Sequence, residues 1–238
     1  MLLLAIDSSQ EICSLALSKD SKLLYETHFE HHMSLLKRLM PNIFFVISES
    51  GYDVKDLSGI VCGLGPGSFT GSRIGITIAK TLAWSLNIPI VGISTLDVLA
   101  ETLECDCSEY ICPMVHARKG EVFWSFYKQN SDNRLTEYKA DVIEDIAQHL
   151  KLSDEYSNCT ILGSGAVRNY DLLKELLPNV RIHKSTNFTY PRGSKLLEMG
   201  EKRILANDFD NTLSITPLYV KKPTPVVRLE TGEFKLKA

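Results

Sequence analysis

Residues 63–75 of this chain read Gly-Leu-Gly-Pro-Gly-Ser-Phe-Thr-Gly-Ser-Arg-Ile-Gly, and this segment decides the fold. The apolar run 59–62 before it predicts a strand, and residues 74–86 after it predict a helix. Glycine and proline between the two allow a backbone path that side chains would block. The free amides at the start of the helix can hold an anion or a carbonyl group of a partner. The segment therefore predicts a strand–loop–helix junction, either with a binding role or as a tight turn with none.

The loop does not match the common nucleotide-binding motifs. A P-loop that began at Gly67 would need glycine at position 72, where Ser72 stands with Arg73 after it. The dinucleotide fingerprint fits Gly63 and Gly65, but Ser68 stands in place of its third glycine.

The overall composition indicates a globular protein. The 238 residues allow one large or two modest domains, and the formal net charge of -3 gives no basic field for non-specific nucleic-acid binding. Cys105-Asp106-Cys107 leaves a metal or redox site open, although reduced thiols are the plainer interpretation. Asp7 interrupts the apolar start of the chain, and no apolar run approaches the length of a membrane span. We expect a soluble, cytoplasmic protein.

The predicted elements follow the same plan in both halves of the chain. In the first half we predict strands over 2–6, 12–18, 22–28, 59–62 and 89–93, and helices over 33–50, 74–86 and 95–102, the last capped by Thr95. In the second half we predict strands over 110–116, 122–127, 135–140 and 160–162, and helices over 141–150, 167–177 and 193–206. A glycine turn follows a strand at matching places, 63–67 and 163–165, which indicates an internal duplication of a mixed α/β sheet.

The pattern Gly-Pro-Gly-Ser-Phe-Thr-Gly-x-Arg-x-Gly, residues 65–75, resembles the signature of the bacterial TsaB (YeaZ) family. Four further segments resemble that family in the same order: 3–9, 89–96, 117–124 and 217–223. The resemblance implies the α/β fold of the sugar kinase/actin superfamily (ASKHA), with two ribonuclease-H-like lobes of mixed sheet flanked by helices. We expect lobes at 1–103 and 104–238, divided in the polar stretch 104–108, with the last helix packing back on the first half.

Active members of that superfamily hold ATP phosphates between two hairpins, one in each lobe. Asp7 with the two serines after it suits the first hairpin, but the same residues also form a common turn between strands. The second hairpin carries His116, where the TsaB family usually has aspartate, followed by Ala-Arg-Lys. We therefore expect weak or no ATP binding and no catalytic, cofactor-binding or metal-binding residue, with an ATP-dependent small-molecule kinase as the alternative.

Metal and hydrolase sites have little support in the sequence. The paralogue TsaD carries a His-x-x-x-His pair on a helix. His28 and His32 have the same spacing in this chain, but His28 is predicted at the end of a strand, so the two do not share a helix face. No zincin motif is present, and 163–165 has the wrong spacing for a nucleophile elbow. A Ser/His/Asp triad stays open on composition alone, so a hydrolase is a third hypothesis.

Two apolar helices of the first half favour a binding role. The helix over 33–50 has more apolar residues than one buried stripe requires, which predicts either deep burial or a second, partner-facing side. Small residues recur every fourth position in the helix that follows the signature, which predicts close packing on a partner helix or on its own sheet. The partner-facing candidates are Leu36, Leu39, Ile43, Phe44 and Ile47. The small-residue ridge is Gly71, Gly75, Ala79 and Ala83.

The signature loop itself comprises Gly65, Pro66, Gly67, Ser68, Phe69 and Thr70, and we expect it to set the start of the second helix. Arg73, in the first turn, is predicted either to bond a partner carboxylate or an anion, or to be a solvated charge. From Tyr219 onward five basic and two acidic residues form a tail of net charge +3, which can contact tRNA phosphates or simply be solvated.

The family resemblance implies a function for these helices. TsaB resembles a degenerate copy of TsaD and associates with it through these N-terminal helices, and homodimers use the same surface. The chain is then a non-catalytic partner of TsaD, with the ATPase TsaE in the larger complex and tRNA contacted indirectly. The complex transfers a threonylcarbamoyl group to N6 of the adenosine beside the anticodon of ANN-decoding tRNAs.

Overall fold

The computed structural model describes residues 1–30, 34–103, 110–128, 134–151 and 159–221. The strands are β1 Leu2–Asp7, β2 Ile12–Lys19, β3 Lys22–Glu30, β4 Gly59–Gly63, β5 Ile90–Ile93, β6 Tyr110–Arg118, β7 Glu121–Trp124, β8 Tyr127–Lys128, β9 Lys139–Val142, β10 Cys159–Leu162 and β11 Arg181–Ile182. The α-helices are α1 Leu35–Glu49, α2 Phe69–Leu86, α3 Thr95–Glu101, α4 Ile143–Lys151, α5 Ser164–Arg168, α6 Tyr170–Leu176 and α7 Gly193–Leu205.

Two mixed sheets repeat one topology. The first has the order β3-β2-β1-β4-β5, in which β1 pairs antiparallel with β2 and parallel with β4. The second has the order β9-β7-β6-β10-β11, in which β6 pairs antiparallel with β7 and parallel with β10. The internal duplication and the predicted two-lobed α/β fold are therefore confirmed.

Helices cover the faces of both sheets. One apolar cluster lies between the first sheet and the helices α1 and α2, and another between the second sheet and α4 and α6. A third cluster joins α3 to the second sheet through residues such as Leu99 and Val115, so α3 connects the two lobes. The Asp97 carboxylate on α3 strengthens this connection, because it accepts hydrogen bonds from the Tyr127 and Tyr138 hydroxyls.

Helix α7 comes late in the chain but packs on the first sheet. Leu196, Leu197 and Ile204 join the cluster on the face of that sheet opposite α1 and α2. The fit is close, since a Cβ on Gly200 would lie 2.3 Å from the Val61 side chain. The predicted return of the last helix to the first half is thus observed. The predicted boundary at 104 lies outside the described residues and stays a prediction.

Three predicted element bounds and one predicted helix cap need correction. Helix α2 begins at Phe69 rather than at residue 74, because the Ser68 side chain accepts from the Gly71 amide and caps the helix inside the signature. Ser94 rather than Thr95 caps α3. The strand predicted over 135–140 is observed as Lys139–Val142, and that predicted over 122–127 is divided between β7 and β8.

Some sequence features fall outside the described residues: His32, the Cys105–Cys107 pair and the basic tail from Lys222 onward. Within the described ranges, no helix is both long enough and apolar enough to cross a membrane.

Candidate functional site: the signature loop, the interlobe cleft and the exposed helix face

The signature loop is seated directly on the turn between β1 and β2. The Ser68 amide donates to the Ser9 carbonyl oxygen. Gly67 lies against the same carbonyl, since a Cβ there would come within 2.1 Å of the Ser9 oxygen. Glycine at 67 is therefore required by a close approach of two backbone segments.

Asp7, the acid of the first hairpin, is buried under this loop. Its side chain is 1% exposed and accepts from the Ser9 amide at 2.8 Å, the Ser9 hydroxyl at 2.7 Å and the Thr95 hydroxyl at 3.3 Å. Burial raises the pKa of this carboxyl, while the hydrogen bonds from Ser9 and Thr95 oppose that rise. The arrangement is that of a structural turn, with the carboxylate oxygens already engaged by neighbouring hydroxyl and amide groups.

The small-residue ridge of α2 faces its own lobe. A Cβ on Gly71 would lie 2.2 Å from the Ser8 carbonyl oxygen, and one on Gly75 would lie 2.2 Å from the Ser8 hydroxyl. Ala79 and Ala83, which continue the ridge, are buried in the core between α1, α2 and the first sheet. Of the two predicted ways in which this ridge could pack, packing on its own lobe is the one observed, because the β1–β2 turn lies against Gly71 and Gly75 and the core of the lobe encloses Ala79 and Ala83.

Arg73 is exposed, and its guanidinium group contacts two aromatic neighbours. Its guanidinium lies 3.9 Å from the Phe69 ring centroid, and its Nε donates to the Tyr219 hydroxyl at 2.8 Å. The Phe69 and Tyr219 rings lie 5.5 Å apart, so the three side chains form one stack. The segment after α7 is thereby joined to the start of α2.

The partner-facing candidates of α1 separate into two groups. Leu39, Ile43 and Ile47 are fully buried in the core of their own lobe, so their assignment to a partner-facing side is corrected. Leu36 and Phe44 are 69% and 50% exposed and stay available at the surface. The core accepts one stripe of α1, and the surplus apolar residues lie outside it.

The structure adds two exposed aromatic residues that the sequence analysis missed. Phe45 on α1 is half exposed and makes an edge contact with Tyr25 of β3. Trp84 on α2 is 71% exposed. The sequence could have indicated that Trp84 is exposed, because it lies outside the stripe formed by Ile74, Ile78 and Leu82. An apolar residue off the buried stripe of a helix must face solvent or a partner.

The two lobes meet at the floor of a cleft. The Ser164 hydroxyl donates to the Gln10 side-chain oxygen at 2.5 Å and accepts from the His116 amide at 3.1 Å. Beside it Glu11 accepts from Arg168 at 2.5 Å and from the Tyr190 hydroxyl at 2.6 Å. Polar contacts between the lobes therefore close the floor at the position where the two hairpins face each other.

Above this floor the cleft encloses about 730 Å³. Its walls include Phe69 and Tyr219 on one side and Phe123 and Arg118 on the other. His116 lines the cleft, and burial together with the charge of Arg168 lowers the pKa of its imidazole, while Glu11 acts in the opposite direction. His116 is thus placed in the cleft in neutral form near pH 7.

Comparisons with known proteins agree with this fold. The family model described as "TsaD: tRNA N6-adenosine threonylcarbamoyltransferase" matches residues 30–209. Two structures from Pseudomonas aeruginosa superpose on this chain, one titled "YeaZ" and one described as similar to the peptidase YEAZ. Their TM-scores are 0.75 and 0.76, with 24% and 23% sequence identity, and each covers 92% of this chain and 99% of its own. These structural likenesses show the fold, and the predicted architecture of two lobes of mixed sheet flanked by helices is confirmed.

Three curated relatives of this chain are named TsaB. The tRNA threonylcarbamoyladenosine biosynthesis protein TsaB of Bacillus subtilis is 31% identical over 210 residues, which cover 87% of this chain and 90% of that protein. TsaB of Escherichia coli is 36% identical over 137 residues, covering 56% of this chain and 57% of that protein. TsaB of Haemophilus influenzae is 27% identical and covers 92% of this chain and 93% of that protein. The chain belongs to the TsaB (YeaZ) family of tRNA threonylcarbamoyladenosine biosynthesis proteins.

Proposed function

We propose that this chain is a non-catalytic subunit that binds TsaD and supports threonylcarbamoyl transfer to N6 of the adenosine beside the anticodon of ANN-decoding tRNAs. The observation that carries the proposal is the apolar surface on the outer sides of α1 and α2, here called the helix face and defined by Leu36 and Phe44 of α1 and Ile78 and Leu82 of α2. Leu36 and Phe44 are 69% and 50% exposed, and Ile78 and Leu82 are half-buried. Large apolar side chains on adjacent helices are typical of surfaces that a protein partner covers.

The helix face has the geometry of a helix-packing surface. Leu36, Met40 and Phe44 follow at intervals of four along α1, and the half-buried Ile78 and Leu82 follow at the same interval along α2. Because α1 and α2 contact each other, the two rows run along neighbouring helices. A pair of helices from TsaD, or from a second copy of this chain, would complete a four-helix contact there. We propose that the free chain forms homodimers through this face and that TsaE joins the complex with TsaD.

The buried state of Asp7 supports an accessory role. A superfamily kinase needs this acid open to a hydrated metal, but its oxygens are engaged by Ser9 and Thr95 beneath the signature loop. His116 occupies the matching position of the second hairpin and supplies no carboxylate. We therefore propose that the isolated chain has no ATP-dependent catalysis, that tRNA is contacted through the complex, and that the protein works in the cytoplasm with that tRNA.

The experiment is to mix the purified chain with TsaD of the same organism and to measure the mass of the complex by size-exclusion chromatography with light scattering. Leu36→Asp and Phe44→Asp place a charge in the helix face, and each is expected to weaken the complex at least about 10-fold. Leu205→Asp is the matched control, because Leu205 is an equally exposed leucine at the end of α7, 70% against 69%. It should leave the complex intact.

A complex that survives both helix-face substitutions would refute the assigned surface, and absence of any complex with the parent chain would refute the proposed partner. The same runs without TsaD report the mass of the free chain. Loss of the free dimer and of the TsaD complex in one variant is the expected result of a shared surface. Steady ATP hydrolysis by the isolated chain would contradict the non-catalytic assignment.

A further inference from the structure

The interlobe cleft has aromatic rings on both walls. Phe69 and Tyr219 line it from the side of the first lobe, and Phe123 lines it from β7 of the second lobe. Its volume of about 730 Å³ falls in the range of small-molecule sites. Aromatic walls of this kind favour a flat ring, which stacks on them while excluding water.

The charged side chains that line the cleft leave one positive charge in excess. Arg168 is paired with Glu11 at 2.5 Å. Arg118 at 2.8 Å and Lys221 at 3.0 Å share the single carboxylate of Glu121. These three cations therefore face two carboxylates, and the excess lies at the Arg118–Lys221 end. Such an arrangement attracts a ligand with one negative charge.

The floor of the cleft offers a polar contact that the chain itself does not use. The His116 Nδ1 atom is buried, and none of the residues in the described ranges forms a hydrogen bond with it. Buried polar atoms of proteins are nearly always hydrogen-bonded, to protein, water or ligand. Because burial and Arg168 keep the imidazole neutral near pH 7, this nitrogen can meet a neutral polar group of a ligand.

We propose that the interlobe cleft binds a small planar molecule that carries a single negative charge. Its ring stacks between Tyr219 and Phe123, its charge lies towards Arg118 and Lys221, and a polar group on its edge reaches His116. This differs from binding a triphosphate nucleotide, for which the charge at the rim is too small. The proposal uses residues outside the helix face, so it does not rest on the association with TsaD.

The test uses 2-naphthoate as the probe and 2-naphthamide as its uncharged match, with the full chain and titration calorimetry. Naphthoate should bind at least about 10-fold more tightly than the amide, because only the acid carries the charge that the excess cation attracts. It should also shift the ring resonances of His116 in the proton spectrum. Tyr219→Ala and Phe123→Ala should each weaken naphthoate binding about 5-fold through lost ring contact. Using two variants keeps the test decisive if Phe123→Ala fails to fold.

Arg118→Gln removes the excess charge and should bring the ratio of acid to amide affinity close to one. Lys37→Gln, which removes an exposed cation on α1, is the matched control and should leave the ratio unchanged. Equal binding of acid and amide by the parent chain would overturn the proposal, as would binding that leaves the His116 resonances unmoved. Tighter binding of ATP with Mg²⁺ than of naphthoate would also overturn it and assign the cleft to a triphosphate.

Discussion

Replacement of Gly75 by alanine tests whether α2 packs so closely on its own lobe that no side chain fits at position 75. The new Cβ would lie 2.2 Å from the Ser8 hydroxyl, which is buried and donates to the Gly71 carbonyl oxygen at 2.8 Å. Alanine is favoured over glycine in a helix by about 1 kcal/mol. Against this, overpacking costs about 2 kcal/mol and the displaced hydrogen bond about 1 kcal/mol. Gly75→Ala should therefore lower the free energy of unfolding by about 2 kcal/mol.

A second substitution at Ser8 separates this mechanism from a general effect on the helix. Ser8→Ala removes the hydroxyl, and the Ser8 Cβ that stays is 3.4 Å from the new methyl group, which is a tolerable contact. On its own Ser8→Ala should cost about 1 kcal/mol through the lost hydrogen bond. In the double variant the clash disappears, so the coupling free energy should be about 2–3 kcal/mol in favour of the pair. Gly71→Ala should not be rescued, because its obstacle is the Ser8 carbonyl oxygen at 2.2 Å, which Ser8→Ala retains.

The measurement is urea denaturation followed by far-ultraviolet circular dichroism for the parent, the three single variants and the two double variants. Ser85→Ala, at an exposed position near the end of α2, is the control for substitution on this helix and should change stability little. The reasoning is refuted if Gly75→Ala is as stable as the parent, or if Ser8→Ala rescues Gly71→Ala as well as it rescues Gly75→Ala.

Two further predictions concern the ends of helices α7 and α2. Burial opposes ionisation of Glu26, but hydrogen bonds, among them those from Arg192 and Ser194, lower its pKa to about 2. The ionised carboxylate of Glu26 therefore stabilises the folded state above pH 4.5, and this stabilisation is lost as the pH falls towards 2. Glu26→Gln should lower the free energy of unfolding at pH 7 and flatten its dependence on pH in that window. Acid titration of the parent and the variant measures this, and an unchanged acid profile would contradict the prediction. Ser68→Ala removes the cap of α2 and should lower the free energy of unfolding, measured by urea denaturation, by about 1 kcal/mol. Amide hydrogen exchange in the first turn of α2 should become faster in this variant. Ser85→Ala is the control and should leave that exchange unchanged.

The sequence was sufficient for the elements and their duplication because these depend on local patterns. The apolar runs, the glycine turns and the order of strands recur in both halves, and both sheets follow them. The start of α2 was missed by several residues because the glycines of the signature suggested a longer loop, whereas the Ser68 cap initiates the helix among them.

The orientation of the helices could not be predicted to the same extent. Both stripes of α1 are apolar, so only the packed structure distinguishes the buried Ile43 from the exposed Phe44. The spacing of Gly71 and Gly75 predicted a close approach correctly but left its partner open, and that partner is Ser8 of the same lobe. The Arg73 stack depends on Tyr219, more than a hundred residues further along the chain, which no local pattern indicates.

The position of α7 on the first sheet has a consequence for synthesis of the protein on the ribosome. The face of the sheet formed by Leu3, Ala16 and Val61 is covered by Leu196 and its neighbours on α7, near the end of the described chain. The first lobe therefore cannot complete its core until most of the polypeptide has emerged, which delays its folding and leaves apolar surface open to aggregation in the meantime. A nascent chain halted after the first lobe should for the same reason be a substrate for chaperones, whereas release of the complete chain closes both faces of the sheet in one step.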